Sequence, residues 1–238
     1  AVNDATLNQA GNVYQYLVAL KDCYELMEGD TLQIEVNGDV SVINKNKGRY
    51  QKEVKHHFGE KNLSDRDIEF WKTLANWYTD YERLKGFSNF ILSTTSIITT
   101  DSPFSKWNEL DKHEKLACIT EIGAEHKERE ETFRKQYNRI FCDSFDENQL
   151  LDILEKFIIA PAQTSIQGIS KEFTKFVGHI PEENRDYYIG ALVGNIIMQV
   201  KNPPHIWQIT KTEFEELLQK ETAGHCSPGT IPLPTVYS

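Results

Sequence analysis

Cysteine is scarce in this 238-residue chain: Cys23, Cys118, Cys142 and Cys226 stand far apart and form no C-x-x-C pair. That spacing argues against a disulfide framework or a zinc knuckle and points to a reducing compartment, the cytoplasm. No stretch approaches 18 consecutive apolar residues, so no membrane partner is expected. Polar Asn3, Asp4, Asn8 and Gln9 lie where a secretory leader would carry its apolar core. A glycine-rich phosphate loop of the GxxxxGK[ST] type is missing, so any nucleoside triphosphate hydrolysis must come from another domain or chain. Positive charge is also short, with 26 Lys and Arg against 36 Asp and Glu and a formal charge of −10. Such a balance does not mark a nucleic-acid wrapper, although a small basic patch can sit on an acidic body. What is present, 39% apolar side chains, is enough to bury one substantial core.

The apolar pattern alternates between helix and strand. From Gln9 to Glu28, Val13, Leu17, Leu20, Tyr24 and Met27 recur every three or four residues, which predicts a helix with that stripe inward. Strands are expected at Thr31–Val36 and Asp39–Ile43, separated by Asn37-Gly38, and at Tyr50–Lys55 after the polar turn Asn44–Gly48. Leu63–Leu84 returns to helical spacing, with Ser64 or Asp65 as its cap. Its inward face would be Ile68, Trp71, Leu74, Ala75 and Tyr78. Phe87–Thr94 then reads as a buried strand laid beside the others by a β-α-β crossover. Helical spacing governs the remainder, over Lys112–Gly123, Lys127–Phe141, Glu147–Ile159, Ile169–Phe176, Arg185–Lys201 and Thr212–Lys220. The expected class is α/β with a mixed central sheet, flanking helices and a helical C-terminal extension. The expected division is a core over 1–100, an extension packed on it over 101–223, and a Pro- and Gly-containing linker over 224–238 toward a further domain.

The chemistry concentrates between Leu32 and His57. Asp39 opens one short strand, and Glu53 and Lys55 lie two apart near the end of the next, on one face with Val54 turned away. A hairpin would bring two carboxylates and an ammonium together. Asp39 and Glu53 supply hard oxygen ligands suited to Mg²⁺, with Mn²⁺ as a substitute, and Lys55 would orient water and offset charge on a phosphate. Without a divalent ion, the crowded carboxylates would repel and raise one another's pKa. Asp-x13-Glu-x-Lys alone also describes a plain charged hairpin. Residues 45–61 carry Lys45, Lys47, Arg49, Lys52, Lys55 and Lys61 against Glu53 and Glu60, a local basic approach in an acidic chain. His56 and His57 point opposite ways if extended, so at most one reaches such a site. The direction of Glu35 is unreadable at the Asn37-Gly38 break. Trp71, Trp77 and Tyr78 read as packing residues rather than base stackers.

Several separated segments together resemble one family. These are AGNVYQY at Ala10–Tyr16, IEVNGDVSV at Ile34–Val42, EVKHH at Glu53–His57, LSDRDIEFWKTLANW at Leu63–Trp77 and FILSTTSI at Phe90–Ile97. In this order they resemble the N-terminal nuclease domain of bacterial anti-phage effectors, the CD-NTase-associated endonucleases and nuclease-armed antiviral NTPases of the PD-(D/E)xK, restriction-endonuclease-like superfamily. YIGALVGNII at Tyr188–Ile197 and HIWQITKTEFEELL at His205–Leu218 resemble its closing helices. The resemblance implies a restriction-endonuclease-like core that cleaves double-stranded DNA with Mg²⁺. It implies activation as a homo-oligomer by a sensor or NTPase domain in the same or a partner chain. Carried over by position, Asp39 and Glu53 match the metal-binding acids, Lys55 the motif lysine and Gln15 a polar helix residue facing the site. Many relatives have Gln where this chain has Glu53. A non-catalytic interaction module, and an RNA or single-strand nuclease, stand as alternatives.

Overall fold

The computed structural model describes residues 5–45, 47–125, 130–201 and 206–226. Its elements run α1 (Ala5–Tyr24), β1 (Asp30–Ile34), β2 (Val40–Asn44), β3 (Lys47–Lys55), α2 (Ile68–Thr79), α3 (Tyr81–Leu84) and β4 (Phe87–Thr94). They continue with α4 (Lys112–Ala124), α5 (Glu131–Ile140), α6 (Glu147–Lys156), β5 (Phe157–Ala160), α7 (Ile169–Glu172), α8 (Arg185–Met198), β6 (Gln208–Thr210) and α9 (Lys211–His225). The α/β class and the mixed sheet follow the sequence pattern. Two compact units arise, one from Ile34–Ser165 and the other from Ala1–Gln33 with Ile166–Ser238. The first unit groups α4, α5 and α6 with β2, β3, β4 and β5.

In the Ile34–Ser165 unit the strand order is β5-β4-β3-β2. β3 and β4 run parallel with Glu53 opposite Leu92 and Lys55 opposite Thr94, and β4 and β5 run parallel with Phe90 opposite Phe157. The β2–β3 pair is antiparallel. The β-α-β crossover through α2 is present, so Phe87–Thr94 lies in the sheet that carries Glu53. One apolar cluster joins Phe90 and Leu92 of β4, Phe157 and Ile159 of β5, and Phe70, Trp71, Leu74 and Trp77 of α2. Trp77 packs on Phe90 and Phe157 at ring-centroid distances of 5.2 and 4.9 Å, so the tryptophans are packing residues as expected.

Several boundaries differ from expectation, each for a local reason. The helix expected over Leu63–Leu84 starts at Ile68, because Asp67, not Ser64 or Asp65, caps it by accepting from Glu69 N–H; it breaks at Asp80 before α3. The helix expected over Glu147–Ile159 stops at Lys156, and Phe157–Ala160 turns into a strand because β4 offers a parallel edge. The Lys115 ammonium, buried against solvent, donates to Leu154 O at 3.0 Å and Phe157 O at 2.9 Å where α6 passes into β5, beside the Phe157 N–H that also bonds Leu154 O and the Trp107 indole that also bonds Phe157 O. Desolvation lowers the Lys115 pKa. Of Lys127–Phe141, residues 127–129 lie outside the described residues, and the helix is Glu131–Ile140.

The other unit holds α1, β1, α7, α8, β6 and α9. On α1 the buried residues are Tyr14, Gln15, Val18, Ala19, Leu20, Asp22 and Cys23. Of the expected stripe Leu20 is buried and Leu17 and Tyr24 are half-buried, while Val13 is exposed, as is Met27 beyond the helix, and polar Gln15 and Asp22 join the buried set. The segment expected to be a closing helix over His205–Leu218 contains β6, paired antiparallel with β1 through Thr31–Thr210 and Gln33–Gln208. The helix begins only at Lys211, where Thr210 and Glu213 form a capping box. His205 and residues 227–238 of the expected linker lie outside the described residues, and α9 runs through His225. No described helix is long and apolar enough to cross a membrane.

Replacing Lys115 by Ala leaves two buried carbonyls without their charged donor. A loss of about 2 kcal/mol is expected in urea unfolding, the range for a hydrogen-bonded buried charge. Unfolding midpoints of wild type and variant check it.

Candidate active site

The β2–β3 ladder pairs Ser41 with Gln51 and Val40 with Lys52, which brings Asp39, one residue before β2, to the end of β3 that carries Glu53 and Lys55. Val54 N–H donates to Asp39 Oδ2 at 2.7 Å and fixes that carboxylate to the strand. Lys55 Nζ lies 3.2 Å from Asp39 Oδ2 and 3.0 Å from Glu53 Oε2. Gln51, two residues before Glu53 on the same face, donates its amide to Glu53 Oε1 at 2.8 Å. The side chains of Asp39, Glu53 and Lys55 are 22%, 15% and 22% exposed, so the cluster is mostly desolvated but open at one side.

Electrostatics follow from that geometry. Burial, then the Asp39 carboxylate, raise the Glu53 pKa; Lys55 and the Gln51 amide only partly offset them. Burial pulls the Lys55 pKa down, but Glu53 and Asp39 outweigh it and the net shift is upward. Lys55 is therefore a firm ammonium, and the carboxylate pair remains short of positive charge.

The turn before β2 shapes the pocket. Glu35 adopts φ 56° and Gly38 φ 122°, and Glu35 N–H donates to Asp39 O at 3.3 Å. A Cβ on Gly38 would overlap the Gln51 amide and approach Glu53 Oε1 to 2.9 Å, so glycine leaves the room that Gln51 fills. Arg83 holds the turn from the far side, donating to Val36 O at 3.0 Å and Asn37 Oδ1 at 2.9 Å while pairing with Asp80 at 2.8 Å. Between this turn, β3 and one face of α2 lies a cleft of about 760 Å³. Glu69, Lys72, Thr73, Asn76, Trp77 and Asp80, spaced at helical intervals, form its α2 wall.

The structure thus brings Asp39, Glu53 and Lys55 together as expected, and Glu35 lines the same cleft. Gln15 is buried on α1, in the other unit. His57 donates from Nε2 to Glu69 Oε2 at 2.7 Å, with Lys61 Nζ 3.3 Å from the same nitrogen, so it supports the cleft wall rather than the acid pair. His56 packs edge-on against Phe58, and burial followed by His57 lowers its pKa. The expected basic approach is spent elsewhere: Lys61 pairs with Asp67 at 3.0 Å, Lys52 lies over the Tyr50 ring, and neither lines the cleft. Sequence reasoning missed Gln51 and Lys72. The i, i+2 spacing from Glu53 was a signal for the first; the i, i+3 and i+4 spacing along α2 was one for the second.

Among the described residues no group of three or more His, Cys, Asp or Glu side chains converges as a metal cage. Two carboxylates fit Mg²⁺ nonetheless, because that ion keeps several waters and takes further oxygens from a phosphate. Charge fits as well: the cleft lining carries five carboxylates against Lys55, Lys72 and Arg83, a deficit of two that one divalent cation offsets.

No family model and no curated protein matches the sequence. Among solved structures, the chain is similar to a Cap4 SAVED/CARF-domain containing receptor of Moraxella osloensis, with 14% identity and a TM-score of 0.50 over 90% of this chain and 48% of the receptor. It is also similar to the Acinetobacter baumannii Cap4 receptor solved with the cyclic trinucleotide 2'3'3'-cAAA, with 13% identity and a TM-score of 0.50, over 90% of this chain and 44% of that one. The chain spans about half the length of these receptors, and at such identity the likeness is one of fold.

Two outcomes follow. A carboxylate whose folded pKa is raised binds more protons folded than unfolded, so stability falls as pH rises from the ordinary glutamate value through the raised one. Metal-free wild type is expected to lose stability across that window while Glu53→Gln does not, and Mn²⁺ is expected to raise the melting temperature of wild type alone; thermal melts against pH check both. Gly38→Ala, which forces Gln51 aside, is expected to cost about 2 kcal/mol by overpacking and to weaken Mn²⁺ uptake in calorimetry.

Proposed function

We propose that this chain is a Mg²⁺-dependent endonuclease that hydrolyses phosphodiester bonds of double-stranded DNA as the effector of an anti-phage defence system. The observation that carries the reading is the convergence of Asp39 and Glu53 on Lys55, at 3.2 and 3.0 Å from its ammonium, in the lining of a polar cleft. The mixed sheet with β3 and β4 parallel supports a restriction-endonuclease-like core, and the motif resemblance supports the nuclease class. The fold shared with half of a receptor solved with a cyclic trinucleotide supports a nuclease joined to a nucleotide-sensing domain.

Asp39 and Glu53 would hold the cation, which when bound polarises the scissile phosphate and lowers the pKa of its water. Asp39 is locked to Val54 N–H, so its geometry is set before any ligand arrives. Glu53 is oriented at both oxygens, by Gln51 on one and Lys55 on the other. Lys55, an ammonium between two carboxylates, donates hydrogen bonds and offsets the negative charge that builds on the phosphorane oxygens. A metal-free interaction module would have no use for a buried pair of like charges, which favours the enzyme reading.

The net charge of −10 makes one copy a weak binder of duplex. Bringing copies together raises the effective concentration of the second contact and sets two single-strand cuts on opposite strands. Cleavage of supercoiled and linear duplex with Mg²⁺ or Mn²⁺ tests the proposal. Asp39→Asn, Glu53→Gln and Lys55→Ala are each expected to lose on the order of 100-fold or more in rate. Fusion to an unrelated oligomerising domain is expected to raise the rate well above the isolated chain. No cleavage of DNA or RNA by either form, with both ions, would leave the non-catalytic module as the reading.

A further inference from the structure

We infer that Lys72, on the α2 wall of the cleft, is the contact that receives the nucleic-acid phosphate backbone. The inference rests on the nuclease reading of the cleft and adds a residue that neither the motif pattern nor the acid cluster specifies. Three cations line the cleft. Lys55 is neutralised by Asp39 and Glu53. Arg83 is committed to Asp80 and to the turn at Val36 and Asn37. Lys72 is exposed and has no ion-pair or hydrogen-bond partner among the described residues, so its charge is available to a ligand.

The position matters as much as the charge. Lys72 stands on the same face of α2 as Thr73, Asn76 and Trp77, opposite the strand that carries Glu53. Three residues of the same lining, Thr73, Trp77 and Gln51, each carry a buried polar atom, Oγ1, Nε1 and Oε1, without a hydrogen-bond partner among the described residues. Buried polar groups are nearly always bonded, and exceptions gathered along one cleft mark where a ligand or its water completes the bonding. The cleft lining is negative overall, so a polyanion enters only where positive charge meets it. A divalent ion at the acid pair supplies one such point, for the scissile phosphate. Lys72 supplies the other, for a neighbouring phosphate of the same strand, and two points fix the strand's direction across the site as a single point cannot. The ligand class is the sugar-phosphate backbone, read as charge and independent of base sequence.

The test is binding of a short fluorescent duplex to the full chain in Ca²⁺, which holds the site occupied without rapid cleavage, across a salt series. Lys72→Ala is expected to bind about tenfold more weakly at low salt and to flatten the slope of log affinity against log salt by about one. Lys72→Arg, which keeps the charge, is expected to retain both. Lys112→Ala is the control for bulk charge, since Lys112 pairs with Glu155 away from the cleft and is expected to leave affinity unchanged. Calorimetry of Lys72→Ala with Mn²⁺ is expected to match wild type, because the acid pair is untouched. Unchanged affinity and salt slope in Lys72→Ala overturns the inference, as does an equal loss in Lys112→Ala. Failure of the nuclease reading has a different signature: wild type takes up no Mn²⁺ and Asp39→Asn changes neither uptake nor cleavage, and the inference then falls with it.

Discussion

Two carboxylates held side by side and largely out of water cannot both stay ionised unless positive charge reaches them, and the architecture around Asp39 and Glu53 answers that constraint. The alternation of β3 sends Gln51, Glu53 and Lys55 to one face, so a single strand supplies an acid, its neutralising ammonium and the amide that orients it. Lys55 offsets one charge of the pair. The remaining deficit shows in the raised Glu53 pKa, which burial and the Asp39 carboxylate cause and Lys55 only partly offsets. Gly38 and Arg83 belong to the same arrangement: one leaves space for Gln51, the other keeps the preceding turn closed over that space.

The helix that walls the cleft is also the helix that anchors the core. Phe70, Trp71, Leu74 and Ala75 of α2 are buried in the apolar cluster, while Glu69, Lys72, Asn76 and Asp80 face the cleft. Trp77 serves both sides, its ring packed on Phe90 and Phe157 while the residue also lines the cleft. Rigid packing of one face therefore fixes the position of the polar face. The parallel β3–β4–β5 stack continues this, because β4 holds Lys55 through Thr95 N–H on Lys55 O at 3.1 Å and is itself held by β5.

Charge in this protein is used locally rather than as a field. The segment richest in lysine and arginine, residues 45–61, spends two of its cations on ion pairs, Lys55 with the acid pair and Lys61 with Asp67 and Glu69. The cleft lining is negative overall, with five carboxylates against Lys55, Lys72 and Arg83. On the proposed reading, metal dependence, weak affinity of a single copy and a need for assembled copies would share that one cause.

Local pattern determined most of the elements and the identity of the acid cluster. Phe87–Thr94 was legible as a strand because Phe87, Phe90, Ile91, Leu92 and Thr94 concentrate apolar and β-forming side chains in a short run of strand length, and Glu53-x-Lys55 because period two is a property of the strand itself. Two short strands were illegible. Phe157–Ala160 continues the apolar spacing of α6, and nothing in those four residues distinguishes a last helical turn from a strand until β4 offers its edge and Lys115 binds the helix-end carbonyls. Gln208–Thr210 is likewise a strand only because β1 pairs with it. In the cleft, Lys72 and Gln51 carry no motif of their own. Their significance comes from which other charges are already paired, and pairing is a property of three-dimensional proximity, decided by how α2 packs over β3 and not by the order of residues along either.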